Sequence, residues 1–135
     1  MTAGQRILRK DAAILAAQRG IAENYAVAAP VDEMVRWSGL AARTFKRRFK
    51  LATGDTPIAY VQRIRVERAK RLLETSDQPI EEISWAVGYE DLASFRRLFK
   101  RLTGLAPGAY RQRVPDPGRD GGGGTGGPSG PVRSC

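Results

Sequence analysis

A stretch of some twenty residues occurs twice in this chain, and that duplication limits the fold more than any other feature. LAARTFKRRFKLATGDTPIAYVQ, at 40–62, is matched by GYEDLASFRRLFKRLTGLAPGAYR at 88–111. Phe45, Phe49, Thr53, Gly54, Pro57 and Tyr60 answer Phe95, Phe99, Thr103, Gly104, Pro107 and Tyr110 at a spacing of fifty. Upstream, Pro30, Val31, Glu33, Met34 and Gly39 answer Pro79, Ile80, Glu82, Ile83 and Gly88 at forty-nine. The second copy therefore has one extra residue in the turn after its glycine. An insertion confined to a turn, with both flanking helices in register, is the mark of a repeated supersecondary unit. Two copies are too few for a solenoid.

Each copy reads as a short acidic helix, a glycine turn and a basic helix. Residues 31–37 form the first short helix, with Pro30 suited to its first position and Asp32 and Glu33 complementing its dipole. Residues 41–52 form the first basic helix. Phe45, Phe49, Leu51 and Ala52 make its apolar side, and Arg43, Lys46, Arg47, Arg48 and Lys50 cover the rest without one acid. In the second copy residues 80–87 precede Gly88. The helix after Asp91 then carries Leu92, Phe95, Leu98, Phe99 and Leu102 inward and Arg96, Arg97, Lys100 and Arg101 outward. Asp91 is placed to cap it.

Between the copies, Thr56-Pro57 signals the start of a helix running to about Glu74, with Ile58, Val61, Ile64, Arg65, Ala69, Leu72 and Leu73 at helical spacing. Its length would be roughly 27 Å. A further helix is expected over 11–26, with Asp11 as its N-cap and Ile14, Leu15, Ile21, Ala22 and Tyr25 on one side; Gly20 puts its continuity in doubt. A last short helix covers 107–113. Residues 1–10 read as a loose N-terminus. Residues 114–135 hold about half of the glycines and prolines and read as a disordered Gly/Pro-rich tail. The fold class is all-α, about seven helices in two helix-turn-helix subdomains, 30–53 and 79–103, joined by a linker helix over 56–74.

Charge and rare residues narrow the function. A chain of 135 residues with net charge +9 favours a polyanionic partner. It contains no histidine, which removes His-based acid/base chemistry, Ser-His and Cys-His pairs and nearly all His-containing metal sites. The single cysteine, Cys135, allows no intrachain disulfide and suggests a reducing compartment. No apolar run reaches the roughly 18 to 20 residues of a spanning helix, and AAILAA is short for a signal core. The reading is a soluble cytoplasmic protein that is not an enzyme and binds no cofactor and no metal. A helix-turn-helix can seat its second helix in a major groove about 12 Å wide. Two such units joined by a rigid helix comparable in length to the roughly 34 Å DNA repeat could read two successive grooves.

Residues from about 21 to 113 resemble the C-terminal DNA-binding domain of AraC/XylS-type bacterial transcription regulators. The likeness is carried by Ile83, Gly88, Tyr89, Ser94, Phe95, Arg97, Phe99, Lys100, Gly104, Pro107 and Tyr110, and by the run RVERAKRLL at 65–73. Within the family the chain is most similar to regulators whose sensor is amidotransferase-like; this chain contains no such sensor. The resemblance implies sequence-specific binding of double-stranded DNA in adjacent major grooves, regulating transcription. It implies base contacts from Arg43, Lys46 and Arg47 in the first recognition helix and from Leu92, Ala93, Arg96 and Arg97 in the second. Phosphate contacts are implied for Thr44, Arg48, Ser94 and Lys100. RNA polymerase is a further candidate partner. The domain itself is expected to bind DNA as a monomer, with oligomerisation supplied by a sensor domain.

Chemistry supports the first set. Arg43 and Arg47, four apart, can each offer two donors to guanine, whereas Leu92 and Ala93 offer only apolar contact, so the second helix is expected to specify less and hold phosphate more. Three departures from the family pattern stand out. Ala41 replaces a capping serine, Gly20 a bulky apolar residue, and Ala106 the Ser or Thr before the proline. The aromatic residues of both copies, with Trp37 and Trp85, are read as core, and Arg65, Arg68 and Arg71 as solvent or ion-pair residues beside Glu67 and Glu74. Two other classes stay open: a sequence-nonspecific nucleic-acid binder, and part of a DNA-repair alkyl-transfer protein.

Overall fold

The computed structural model describes residues 11–113. The expected loose start and Gly/Pro-rich tail, with Cys135, lie outside the described residues. Within them are seven helices and no strand: α1 (Ala12–Glu23), α2 (Pro30–Ser38), α3 (Ala42–Thr53), α4 (Pro57–Thr75), α5 (Ile80–Ala86), α6 (Leu92–Thr103) and α7 (Pro107–Arg113). The chain divides into two units between Arg65 and Val66, inside α4.

In the first unit the core is Ile14, Ala17, Ile21, Met34, Phe45, Phe49 and Val61. Helix α1 continues through Gly20, a position with no room for a side chain: a Cβ there would lie 2.5 Å from Trp37 Cε3. The indole fills the space that a bulky residue on α1 would otherwise take. The helix ends at Glu23, three residues earlier than expected, where Asn24 Nδ2 donates to Gly20 O at 2.9 Å. Ala29 then adopts φ 49°, a left-handed conformation that is uncommon without glycine, and Pro30 takes the first helical position.

In the second unit the buried apolar residues are Val66, Ala69, Leu73, Ile83, Val87, Phe95, Leu98 and Phe99. Ser84 is also fully buried, and its hydroxyl donates to Tyr89 O at 3.1 Å while Tyr89 N–H donates to Ser84 O at 2.9 Å. That reciprocal pair closes the turn that carries the extra residue. In the shorter turn of the first copy Ser38 Oγ donates to Val35 O at 2.7 Å and accepts from Leu40 N–H at 3.1 Å. Gly39 and Gly88 both have positive φ, 75° and 102°, as such turns require.

Several apolar residues expected inside lie outside. Leu51 is 72% exposed, Trp85 54% and Ile58 47%, and Leu15 and Leu102 are also exposed. Trp85 holds the register position of Arg36, which is exposed in the first copy. Arg65 departs in the opposite direction. It is buried, with Nε donating to Tyr25 O at 2.6 Å and Nη2 to Val27 O at 2.9 Å, so it holds the connection leading into α2. In the second unit Arg111 does the same work, donating to Leu73 O and Ser76 O at 3.2 and 3.0 Å ahead of α5. Glu67 pairs with Lys70, and Glu74 accepts from the Tyr110 hydroxyl.

Candidate nucleic-acid interface

Both basic helices are anchored by the same aromatic set. In the first copy Phe45 and Phe49 have centroids 5.4 Å apart, and Phe49 meets Tyr60 edge-on at 5.1 Å. In the second, Phe95 and Phe99 are 5.8 Å apart and Phe99 meets Tyr110 edge-on at 5.4 Å. Each helix stops alike. Thr53 Oγ1 donates to Phe49 O and Thr103 Oγ1 to Phe99 O, both at 2.8 Å, and Gly54 and Gly104 follow at φ 84° and 88°. Burying two phenylalanines on one side of each helix, with a half-buried tyrosine from the following helix against the second, fixes which side is left to solvent.

On α3 that side presents Arg43, Lys46, Arg47 and Lys50, all exposed, at spacings that keep them within roughly 100° of arc. Among the described residues none of the four takes part in an ion pair or a side-chain hydrogen bond. Thr44 is half-buried beside them. Arg48 faces elsewhere: its Nη2 lies 2.6 Å from Asp11 Oδ1 and its Nε 3.3 Å from Oδ2. It occupies the register position of Leu98, which is buried in the second copy, so this face of the helix points into the unit. Asp11 stands at the N-cap of α1, yet its side chain makes no capping bond there because the carboxylate is turned to Arg48.

On α6 the exposed residues are Ala93, Arg96, Arg97, Lys100, Arg101 and Leu102, with Leu92 and Ser94 half-buried. The start of this helix is more constrained than that of α3. Asp91 Oδ1 accepts from Ala93 N–H at 3.1 Å, Ser94 Oγ donates to Asp91 Oδ2 at 2.6 Å, and Arg97 Nη2 donates to Ser94 Oγ at 3.3 Å. The Ser94 hydroxyl, the Ala93 amide and the charge of Arg97 hold the Asp91 carboxyl below the usual carboxylate range. Ala41, the counterpart of Asp91, makes no side-chain cap.

Neither face contains an acid after the helix start, and in each the last turn carries Lys50 or Lys100, complementing the helix dipole. Such a surface suits a regular array of anions. Among the described residues no group of His, Cys, Asp or Glu could hold a metal ion, and no helix is long and apolar enough to cross a membrane. The sequence reading missed Asp11, Arg65 and Arg111 as holding residues; of these only Arg65 left a trace, as a cation on the apolar stripe of its helix.

Residues 34–113 match the family described as a helix-turn-helix domain. The chain is 40% identical over 84 residues to the MmsAB operon regulatory protein of Pseudomonas aeruginosa, covering 62% of this chain and 27% of that protein. It is similar to the C-terminal domain of AraT, a response regulator from Geobacillus stearothermophilus. The TM-score is 0.73 at 26% identity, over 76% of this chain and 86% of that one. It is similar also to the DNA-binding domain of AdpA, a global transcriptional factor solved in complex with a target DNA. There the TM-score is 0.70 at 32% identity, over 73% and 88% of the two chains. The chain spans about a quarter to a third of the length of the curated relatives it matches. On the matched region, which is more than half of the chain, it belongs to the AraC/XylS type of helix-turn-helix DNA-binding domain.

Proposed function

We propose that the chain binds double-stranded DNA sequence-specifically, with α3 and α6 in adjacent major grooves, and so regulates transcription. The observation that carries this reading is the pair of acid-free basic faces on two copies of one unit, each fixed outward by the same pair of buried phenylalanines. Arg43, Lys46 and Arg47 on α3, and Leu92, Ala93, Arg96 and Arg97 on α6, are the base-reading residues. Thr44 and Lys100 contact phosphate, and Ser94, whose one hydroxyl proton is given to Asp91, is left out of that set. Arg48 is left out of that set because its guanidinium is engaged with Asp11. The 19 residues of α4 extend roughly 28 Å, which suits two recognition helices about one DNA turn apart. The role is that of a binding protein working on chromosomal DNA in the cytoplasm. A sensor domain and a surface for RNA polymerase fit this role as further parts of a regulator, and the domain needs neither to bind.

Affinity comes from counterion release and selection from base contacts. Titration of a selected duplex against salt tests this. The logarithm of the binding constant falls linearly with that of salt, with a slope of about −0.9 per phosphate neutralised. Arg47→Ala and Arg97→Ala each weaken binding, by about five- to a hundredfold where a bidentate guanine contact is lost. A salt-independent isotherm, or two variants that bind as the unaltered chain does, overturns the reading.

A further inference from the structure

We infer that Asp91 is a positioning residue for Arg97, acting through Ser94, and that α6 is consequently the more selective of the two recognition helices. The inference rests on the DNA-binding reading and reverses the expectation that α6 mainly holds phosphate. Its basis is a difference between two otherwise matched helices. On α3, Thr44 and Arg47 stand at the same spacing as Ser94 and Arg97, but the residue before them is Ala41, and Arg47 has no partner among the described residues. On α6 the carboxylate of Asp91 takes the only hydroxyl proton of Ser94 at 2.6 Å, which turns the Ser94 lone pairs toward Arg97 Nη2 at 3.3 Å.

A guanidinium held on one side before binding loses less rotational freedom when it meets a base, and it tolerates fewer alternative bases, than one that must first be ordered. Arg97 keeps its remaining donors for two acceptors in the groove, the pattern that guanine presents with O6 and N7. Arg47, free to move, can follow either a base or a phosphate and discriminates less. Removing a carboxylate beside the interface would strengthen binding to every duplex alike, so the informative quantity is base preference, not affinity.

The test is selection from a random duplex pool, with sequencing of the bound sites, on the full chain unaltered and as Asp91→Asn, Ser94→Ala and Arg97→Ala. Asparagine still caps the helix, so Asp91→Asn separates capping from positioning, and thermal midpoints are recorded alongside. The position whose preference Arg97→Ala erases is expected to fall from about tenfold in the unaltered chain to about twofold in both Asp91→Asn and Ser94→Ala. The other positions should stay sharp, and Asp91→Asn should keep its midpoint. The inference is overturned if that position stays as sharp in both variants, if all positions flatten together with a lowered midpoint, or if Arg97→Ala erases no preference. An unaltered chain that enriches no sequence overturns the DNA-reading assignment itself, which is a different result.

Discussion

Four helix starts can be compared across the two copies. In the first, α3 begins after Ala41, whose methyl caps nothing, while α4 begins after Thr56, whose Oγ1 accepts from Ala59 N–H at 3.2 Å. In the second, α6 begins after Asp91, whose carboxylate caps it, while α7 begins after Ala106, which has no side-chain acceptor. Each copy thus caps one of its two helices, and not the same one. The ring contacts and the threonine and glycine stops match closely by comparison, with centroid distances within 0.4 Å, equal threonine hydrogen bonds and stop glycines at φ 84° and 88°. Packing in a unit this small constrains every interior position at once, whereas a cap contributes only about 1 kcal/mol and can be lost from one place when the total is kept. Divergence therefore accumulates at the helix starts.

The most severe test of the matched interiors is deletion of a ring. Phe49→Ala and Phe99→Ala should each destabilise by about 3–5 kcal/mol, since both rings are fully buried. If the copies are energetically as well as geometrically alike, chemical denaturation should give two costs within about 1 kcal/mol of each other. A much smaller loss for one would show a unit that collapses around the gap, and the equivalence would fail. A next test concerns the two holding arginines. Arg65→Met leaves two carbonyls without their charged donor in a buried setting and should cost about 1.5–3 kcal/mol, whereas the more exposed Arg111→Met should cost less. Equal losses would contradict the difference in burial.

How much of this was legible without coordinates depends on what each residue touches. The ring positions, the glycine turns and the extra residue after Gly88 were open to reading because repetition and helical period both act on neighbours in sequence. The inward turn of Arg48 could have been read by laying it against Leu98, and the exposure of Trp85 by laying it against Arg36. The Arg65 contacts could not, since they join a side chain to carbonyls some forty residues away, and every residue has a carbonyl. Gly20 and Trp37 were each noted separately, and only their contact explains why a glycine is tolerated inside α1. At the interface, the cations were plain from charge alone. Which of them are free and which are held was not, because that is decided by single hydrogen bonds.

Tyr110 gives the second unit a dependence on alkaline pH. Tyr110 is held well above the usual phenol range, first by burial, then by its hydrogen bond to the Glu74 carboxylate and that group's charge. The unfolded phenol ionises near 10. A folded value above the unfolded one makes a contribution that is complete below about 10 and lost progressively as pH rises toward the folded value. At the matching position Tyr60 accepts from Gln18 Nε2 at 3.3 Å, and among the described residues no carboxylate is bonded to its hydroxyl. Tyr110→Phe should therefore flatten the fall in stability above about pH 10, though the same change costs about 1 kcal/mol at neutral pH through the lost hydrogen bond. A Tyr110→Phe chain whose stability falls as steeply above pH 10 as the unaltered chain's would place the alkaline sensitivity elsewhere.

The smallest effect is the most direct probe of the difference between the helix starts. Ala41 has φ −65° and ψ 149°, the extended backbone of a good N-cap, so only the side chain is missing. Ala41→Ser should stabilise the chain by about 1 kcal/mol by adding an acceptor for the free N–H groups at the start of α3. Ala41→Asp should add a similar amount and one thing more. With Thr44 and Arg47 at the spacing of Ser94 and Arg97, it supplies the carboxylate that the first copy lacks. Equilibrium unfolding measures the cap, which both variants share. Selection of bound duplexes measures the charge, which only the aspartate adds, and there the base position lost in Arg47→Ala should sharpen in Ala41→Asp and stay unchanged in Ala41→Ser. Equal profiles for the two would mean that a held arginine reads no better than a loose one, and the contrast between α3 and α6 would reduce to capping alone.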